Sequence, residues 1–208
     1  MKNQLSILLF SLTISLHAQQ PATGPTFDFN TPSNWRGEVI PLPPGFAPDL
    51  MWKGIENIRF APGMFKPNED DFFSYLLVFL LEKDADVSIA NIRKQILIYY
   101  QGLAKAVGGS KIPDLDPGTF NVDIKKISGK PVRPPTTTNT QKIDFFTGIL
   151  DWVEPFATRK AQTLHMEIHA WKHNEQPAIY FTVSPQPTDH EVWKTLRDYR
   201  TKFSFGDR

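Results

Sequence analysis

The spacing of apolar residues along this chain changes from segment to segment, and each spacing predicts a different element. In residues 178–184 (AIYFTVS) and 119–127 (TFNVDIKKI) an apolar residue recurs at every second position. This alternation predicts half-buried strands, because successive side chains of a strand point to opposite faces. Residues 142–153 and 161–173 are further strand candidates. Residues 72–81 (FFSYLLVFLL) lack alternation, which predicts a strand covered on both faces.

Two segments have apolar residues at steps of three and four, which is typical of amphipathic helices. The first follows Ser88, a suitable N-terminal cap, and stops at Gly108 and Gly109. The second is predicted to begin at Thr188, because Thr188 and Glu191 have the Thr-x-x-Glu spacing of a capping box. It continues to about Phe203 and is expected to close the domain.

The order of these elements predicts the fold class. Two strands (including one at residues 55–60) precede the first helix, and four strands separate it from the second. Successive strands without helical crossovers indicate antiparallel pairing. We therefore expect an α+β fold: a largely antiparallel sheet of about five or six strands, with the two amphipathic helices packed on one face.

The N-terminal region predicts export and a proline-rich lead-in. Residues 1–18 contain one lysine, an apolar run and a small residue at the cleavage position, which is typical of a secretory signal peptide. The apolar run is shorter than the ~20 residues that a membrane-spanning helix needs. Residues 19–49 carry seven prolines and are expected to form an irregular arm. A single domain is expected at residues 50–208, in a periplasmic or extracellular, soluble protein.

Composition narrows the range of functions. Lys2 is the only charged residue of the predicted signal peptide, so the mature chain balances 22 basic against 22 acidic residues. This balance gives no basis for binding nucleic acid, and no membrane-spanning segment is expected after cleavage. The absence of cysteine excludes thiol catalysis and cysteine-ligated zinc. The proline-rich PLPPGF (residues 41–46) leaves open an alternative in which the arm binds a partner module.

The stretch HMEIHAWKH (residues 165–173) carries the most conspicuous candidate chemistry. Its glutamate is one position too late for the His-Glu-x-x-His motif of zinc proteases. On a strand, His165, Glu167, His169 and Trp171 would share one face, while the residues between them form an apolar face. We expect the first face to be exposed to solvent, with Tyr180 of the next strand beside it.

Two functions are predicted for that face. The leading one is non-enzymatic: a binding or accessory module that contacts a protein, peptide or carbohydrate ligand through His165, His169, Trp171 and Tyr180, without a cofactor. The alternative is a metal-dependent hydrolase in which His165, Glu167 and His169 hold a transition metal such as zinc. Glu167, flanked by two imidazoles, is also the candidate catalytic residue as a general base.

Overall fold

The computed structural model describes residues 26–128, 135 and 142–206 of the chain. Its strands are β1 (Thr26–Asp28), β2 (Arg36–Leu42), β3 (Gly54–Phe60), β4 (Tyr75–Leu81), β5 (Asn121–Lys126), β6 (Asp144–Val153), β7 (Ala161–His173), β8 (Gln176–Ser184) and β9 (Ser204–Gly206). Its helices are α1 (Ile89–Gly108), α2 (Glu191–Lys202) and a short 3-10 helix at Pro117–Thr119. The predicted signal peptide lies outside the described residues.

Seven strands form one antiparallel sheet in the order β2-β3-β4-β8-β7-β6-β5. The pairing of β4 with β8 joins the two halves of the chain at the centre of this sheet. Strands β1 and β9 form a separate two-stranded sheet. The predicted α+β class, the antiparallel sheet and the two helices are confirmed, and the main sheet has one or two strands more than expected.

The two helices lie on opposite faces of the sheet, so the prediction that both pack on one face is wrong. The side chains of Ile92 and Ile96 on α1 join a core with Phe79 and Phe181. We call this side of the sheet the α1 face. On the other side, the α2 face, Trp193 and other residues of α2 join a second core with alternate residues of the same strands. Because β4 is buried along both faces, each face needs its own cover.

The two helices begin differently from one another. The Ser88 hydroxyl caps α1 as predicted, accepting the N–H of Asn91 at 3.4 Å. Helix α2, however, begins after His190 and not after Thr188. The Nδ1 atom of His190 accepts the N–H of Val192 at 3.3 Å, and so this histidine takes the capping role expected of Thr188. The tight turn in which the His190 N–H bonds the carbonyl of Pro187 delays the helix.

The described part of the proline-rich segment is more ordered than predicted. Instead of an irregular arm, it contains β1 and β2, and β2 is an edge strand paired with β3 along its whole length. Pro41 is tolerated there because an edge strand leaves half of its N–H groups without a ladder partner. Leu42, Ala47 and Leu50 then enter the core of the α1 face. Within the described residues, neither helix has the length and apolar character that crossing a bilayer requires.

Candidate functional site

The face of β7 that was expected to be exposed to solvent is buried. Glu167 is 8 % exposed, His169 0 %, Trp171 6 % and Tyr180 on β8 0 %. Helix α2 and the chain that follows it cover these residues, with Trp193, Leu196 and Phe203 packed into the same core. His165, near one end of the covered region, is half-buried. An open binding platform on this face is therefore a wrong prediction.

Glu167 is held by two arginines of α2. Arg197 donates to its Oε1 atom from Nε at 3.0 Å and from Nη2 at 2.7 Å, and Arg200 pairs with its Oε2 atom. Arg200 also donates to Thr182, the residue opposite Glu167 on β8, at 3.3 Å. Burial by itself would raise the pKa of Glu167, but the hydrogen bonds and positive charges of the two arginines lower it. The carboxylate is thus charged, and its charge is neutralised within the protein.

His169 is a buried, neutral imidazole. Within the described part of the chain neither of its ring nitrogens has a hydrogen-bond partner, and its ring packs on Phe145 at 4.7 Å between centroids. Burial, assisted by the positive charge of Arg200, lowers the pKa of His169 to about 2. Tyr180, directly across from it on β8, is buried, and no described residue forms a hydrogen bond with its hydroxyl. These groups are enclosed in the core and cannot meet a large ligand.

The geometry gives the predicted metal set no support. Two guanidinium groups already contact the oxygens of Glu167, and a cation placed there would be repelled by them. Along residues 26–128, 135 and 142–206, no three histidine, aspartate or glutamate side chains come together as a metal site. The zinc site of His165, Glu167 and His169, and the general-base role of Glu167, remain predictions without a structural basis.

A different candidate site lies on the α1 face. A cavity of about 870 Å³ opens between strands β2 and β3, the C-terminal half of α1 and the turns at residues 61–66 and 154–160. Most of its wall is apolar, and six representative lining residues are Ile40, Ile58, Phe60, Met64, Leu103 and Phe156. Ligand sites in proteins are commonly concave, mainly apolar and in this range of volume.

Glu56 is the buried charged residue of this cavity. The register of β3 places it between Ile40 on β2 and Phe79 on β4, and its side chain faces α1. It is 0 % exposed. The hydroxyl of Tyr99 on α1 donates to its Oε1 atom at 2.8 Å, whereas its Oε2 atom has no hydrogen-bond partner among the residues that the structure describes. A buried carboxylate oxygen without a partner is costly to folding, and such an atom is a candidate contact for a ligand.

The surroundings of Glu56 shift its ionisation towards neutral pH. Burial raises the pKa of Glu56 to about 7, the hydrogen bond from Tyr99 opposes the rise, and the negative charge of Glu38 adds to it. Glu38 lies two residues from Ile40 along β2, on the same face of the sheet. Near pH 7 the carboxyl group is therefore divided between its protonated and ionised forms, and small changes in the cavity decide between them.

Sequence reasoning missed this site. Glu56 lies in residues 55–60, for which the sequence predicts a strand and no chemistry. A signal was present, because Glu56 lies two residues before Ile58 and four before Phe60, so the alternation of a strand puts a charged residue on the same face as these apolar ones. The positions of Tyr99 and of the cavity itself depend on how α1 crosses the sheet, which local patterns do not reveal. Comparisons of the chain with protein-family models, curated proteins and solved structures found no match.

Proposed function

We propose that this protein is an exported binding protein for a small, mainly apolar ligand, and that the ligand occupies the cavity on the α1 face. The single observation that carries the proposal is Glu56, which lines a large apolar cavity and whose buried Oε2 atom has no hydrogen-bond partner among the described residues. An apolar body would fill the cavity, and one polar group would contact Glu56. Export rests on the predicted signal peptide.

Other carboxylates in the core provide a contrast that supports this choice. Glu167 is bound by two arginines. Glu154, which is 0 % exposed, accepts the N–H of Thr158 at 2.6 Å and its hydroxyl at 2.7 Å. Among the described residues, Glu56 is the buried carboxylate with an oxygen that no protein group satisfies. A group retained at that cost is more simply explained by a ligand than by stability.

The proposal keeps the predicted class of function, a binding module, and changes its site. Protein, peptide and carbohydrate ligands were expected on the polar face of β7, where burial now excludes an open platform. The cavity on the α1 face suits a smaller and more apolar molecule, because isoleucine, methionine and phenylalanine side chains form its walls. The metal-dependent hydrolase has no comparable support from the described residues.

A fluorescence titration with the neutral apolar dye N-phenyl-1-naphthylamine tests the proposal on residues 19–208. The test variant is Ile40→Trp, because half-buried Ile40 lines the cavity opposite Glu56 on an edge strand. The control is Ile149→Trp, the same exchange at a residue that is 42 % exposed and outside the cavity. We expect saturable binding by the wild type, weakened about tenfold or more in Ile40→Trp and unchanged in Ile149→Trp.

Two results would contradict the proposal. One is the absence of saturable binding by the wild type. The other is equal binding by the wild type and Ile40→Trp, because the dye would then occupy another surface. Circular dichroism of both tryptophan variants shows whether either exchange disturbs the fold.

A second candidate function is acid–base catalysis within the same cavity. The observation in its favour is that the pKa of Glu56 lies at about 7, where a carboxyl group can both accept and return a proton at neutral pH. Once a bound ligand is identified, its conversion to product by the wild type and not by Glu56→Gln would establish catalysis. Recovery of the unchanged ligand leaves binding as the function.

A further inference from the structure

We infer that the ligand of this cavity is a protonated amine on an apolar body, with its ammonium group beside Glu56. The inference rests on the proposed function, since it names the class of molecule that the cavity would hold. Two observations carry it: the carboxyl groups of Glu56 and Glu38, which both line the cavity, and the aromatic rings in its wall.

The hydrogen bonding of Glu56 favours a donor. Tyr99 already donates to Oε1, so the oxygen that remains is an acceptor for a group brought by the ligand. Burying an ionised carboxylate is costly unless an opposite charge accompanies it. An ammonium group supplies both the donor and the charge, whereas a hydroxyl group supplies the donor alone.

A second carboxylate adds to this preference. Glu38 lies on the same face of β2 as Ile40, the residue opposite Glu56, at a strand spacing of about 6.6 Å from Ile40. Its negative charge favours a cation in the cavity and disfavours an anion.

The basic residues of the cavity wall lie farther out. Arg36 is opposite Phe60 on β3, four residues from Ile40 and so about 13 Å along the strand. Lys66 belongs to the turn after β3. Both are exposed, as Glu38 is, so solvent screens all three charges and the buried carboxyl group of Glu56 dominates the preference.

Aromatic side chains line the cavity that Glu56 also lines. Phe46 packs edge-on against Tyr99 with 5.0 Å between ring centroids, and Phe65 lies 5.6 Å from Phe156. All four residues line the cavity. The faces of aromatic rings attract cations, and walls built from several rings together with a carboxylate are a recognised way to bind ammonium groups. The same rings provide an apolar surface for the body of the ligand.

Displacement of N-phenyl-1-naphthylamine by three matched probes tests the inference. The probes are n-octylamine, n-octanol and octanoate, which share a chain length and differ in head group and charge. At pH 8 we expect octylamine to bind the wild type about tenfold more tightly than octanol, and octanoate to bind most weakly. From pH 6 to pH 8 the affinity for octylamine should rise as Glu56 loses its proton, while the affinity for octanol should not rise.

Two glutamate variants show which carboxyl group causes the preference for octylamine over octanol. In Glu56→Gln we expect octylamine and octanol to bind within about twofold of each other, because the charged partner is gone while the apolar walls remain. In Glu38→Gln, at the exposed edge, we expect the preference for octylamine to fall only about two- to threefold. Retained binding of octanol by Glu56→Gln shows that this variant keeps its fold and cavity.

The outcomes separate the inference from the proposed function. Equal binding of octylamine and octanol by the wild type would overturn the inference and leave the apolar site in place. Displacement by none of the three probes would contradict both. Because the comparison of octylamine with octanol on the wild type is decisive by itself, the test does not depend on the folding of Glu56→Gln.

Discussion

Two buried glutamates, Glu56 and Glu167, lie on opposite faces of the same sheet. Glu167 is paired with positive charges, whereas Glu56 is not. On the α2 face, Arg197 and Arg200 bind both oxygens of Glu167 and lower its pKa. On the α1 face, Glu56 receives a single hydrogen bond from Tyr99, and burial raises its pKa to about 7. The first carboxylate completes the packing of α2 on the sheet. The second lines a cavity, and one of its oxygens has no hydrogen-bond partner among the described residues.

The difference shows how an ion pair and a ligand site can be distinguished in one core. Glu167 belongs to HMEIHAWKH, the stretch whose composition most suggests chemistry, yet its charge is fully matched within the protein. Glu56 belongs to an inconspicuous strand and has an oxygen that nothing in the described protein satisfies. Unmatched polarity on a cavity wall is thus a better guide to a site than a cluster of reactive residue types.

The largest expected effect comes from breaking the ion pair of Glu167. We expect Glu167→Gln to lower the free energy of unfolding by about 3–5 kcal/mol, because it removes the negative charge that faces the buried Arg200 guanidinium. The control is Glu191→Gln, which removes an exposed ion pair with Lys194 and should change the free energy of unfolding by less than about 1 kcal/mol. Urea denaturation at pH 7 measures both. A loss below about 1 kcal/mol in Glu167→Gln would show that the pair does not anchor α2.

The next effect is a pH-dependent gain in stability in Glu56→Gln. Glu56 is raised from an ordinary pKa of 4.5 to about 7 in the folded state. Between these values the unfolded chain releases its proton first, so the free energy of unfolding falls as pH rises. We expect Glu56→Gln to match the wild type at pH 4 and to exceed it by roughly 2–3 kcal/mol at pH 8.5.

The contribution of Glu167 to the free energy of unfolding should change with pH in the opposite direction to that of Glu56. The folded-state pKa of Glu167 is lowered, so its stabilising contribution is present above pH 4.5 and is lost as pH falls through the folded value. Urea denaturation from pH 3 to pH 9 on the wild type and both glutamine variants measures the two contributions. A difference between wild type and Glu56→Gln that does not vary with pH would contradict the raised pKa.

The smallest expected effects on stability come from removing two buried tyrosine hydroxyl groups, that of Tyr99, which has a hydrogen-bond partner, and that of Tyr180, which has none among the described residues. Tyr99→Phe removes the donor of Glu56 and should destabilise the protein by about 1–2 kcal/mol, because a second buried carboxylate oxygen loses its partner. Tyr180→Phe removes a buried hydroxyl that has no partner and should leave stability within about 1 kcal/mol of the wild type or raise it. Thermal unfolding at pH 8 compares them. Equal losses in both variants would show that the bond to Glu56 adds nothing.

The sequence predicted most of the elements of this fold and missed their arrangement around the sheet. Alternation of apolar residues located the strands of the second half, and the unbroken apolar run at residues 72–81 indicated a strand buried on both faces, as β4 is. A strand buried on both faces requires other elements to pack on both sides of the sheet. The prediction of both helices on one face did not use this requirement, and the polar face of β7 was therefore expected to be exposed.

The candidate site could not be predicted from local patterns. The face of β7 reads as polar because Glu167 is polar in isolation, and only the register of α2 shows that two arginines, three residues apart, reach it. The site of Glu56 joins β3 to Tyr99, 43 residues away along the chain. Contacts at such separations depend on how α1 crosses the sheet, and periodicity carries no information about that crossing.

Carbon-13 NMR of the glutamate side-chain carboxyl groups, with resonances assigned through Glu56→Gln and Glu167→Gln, tests whether Glu56 is the ligand-binding carboxyl group and Glu167 a structural one. We predict that Glu56 titrates near pH 7, that Glu167 titrates below 4.5, and that octylamine shifts the resonance of Glu56 and leaves that of Glu167 in place. Titration of Glu56 near pH 4.5, with no response to octylamine, octanol or N-phenyl-1-naphthylamine, would contradict the assignment of the cavity as the working site.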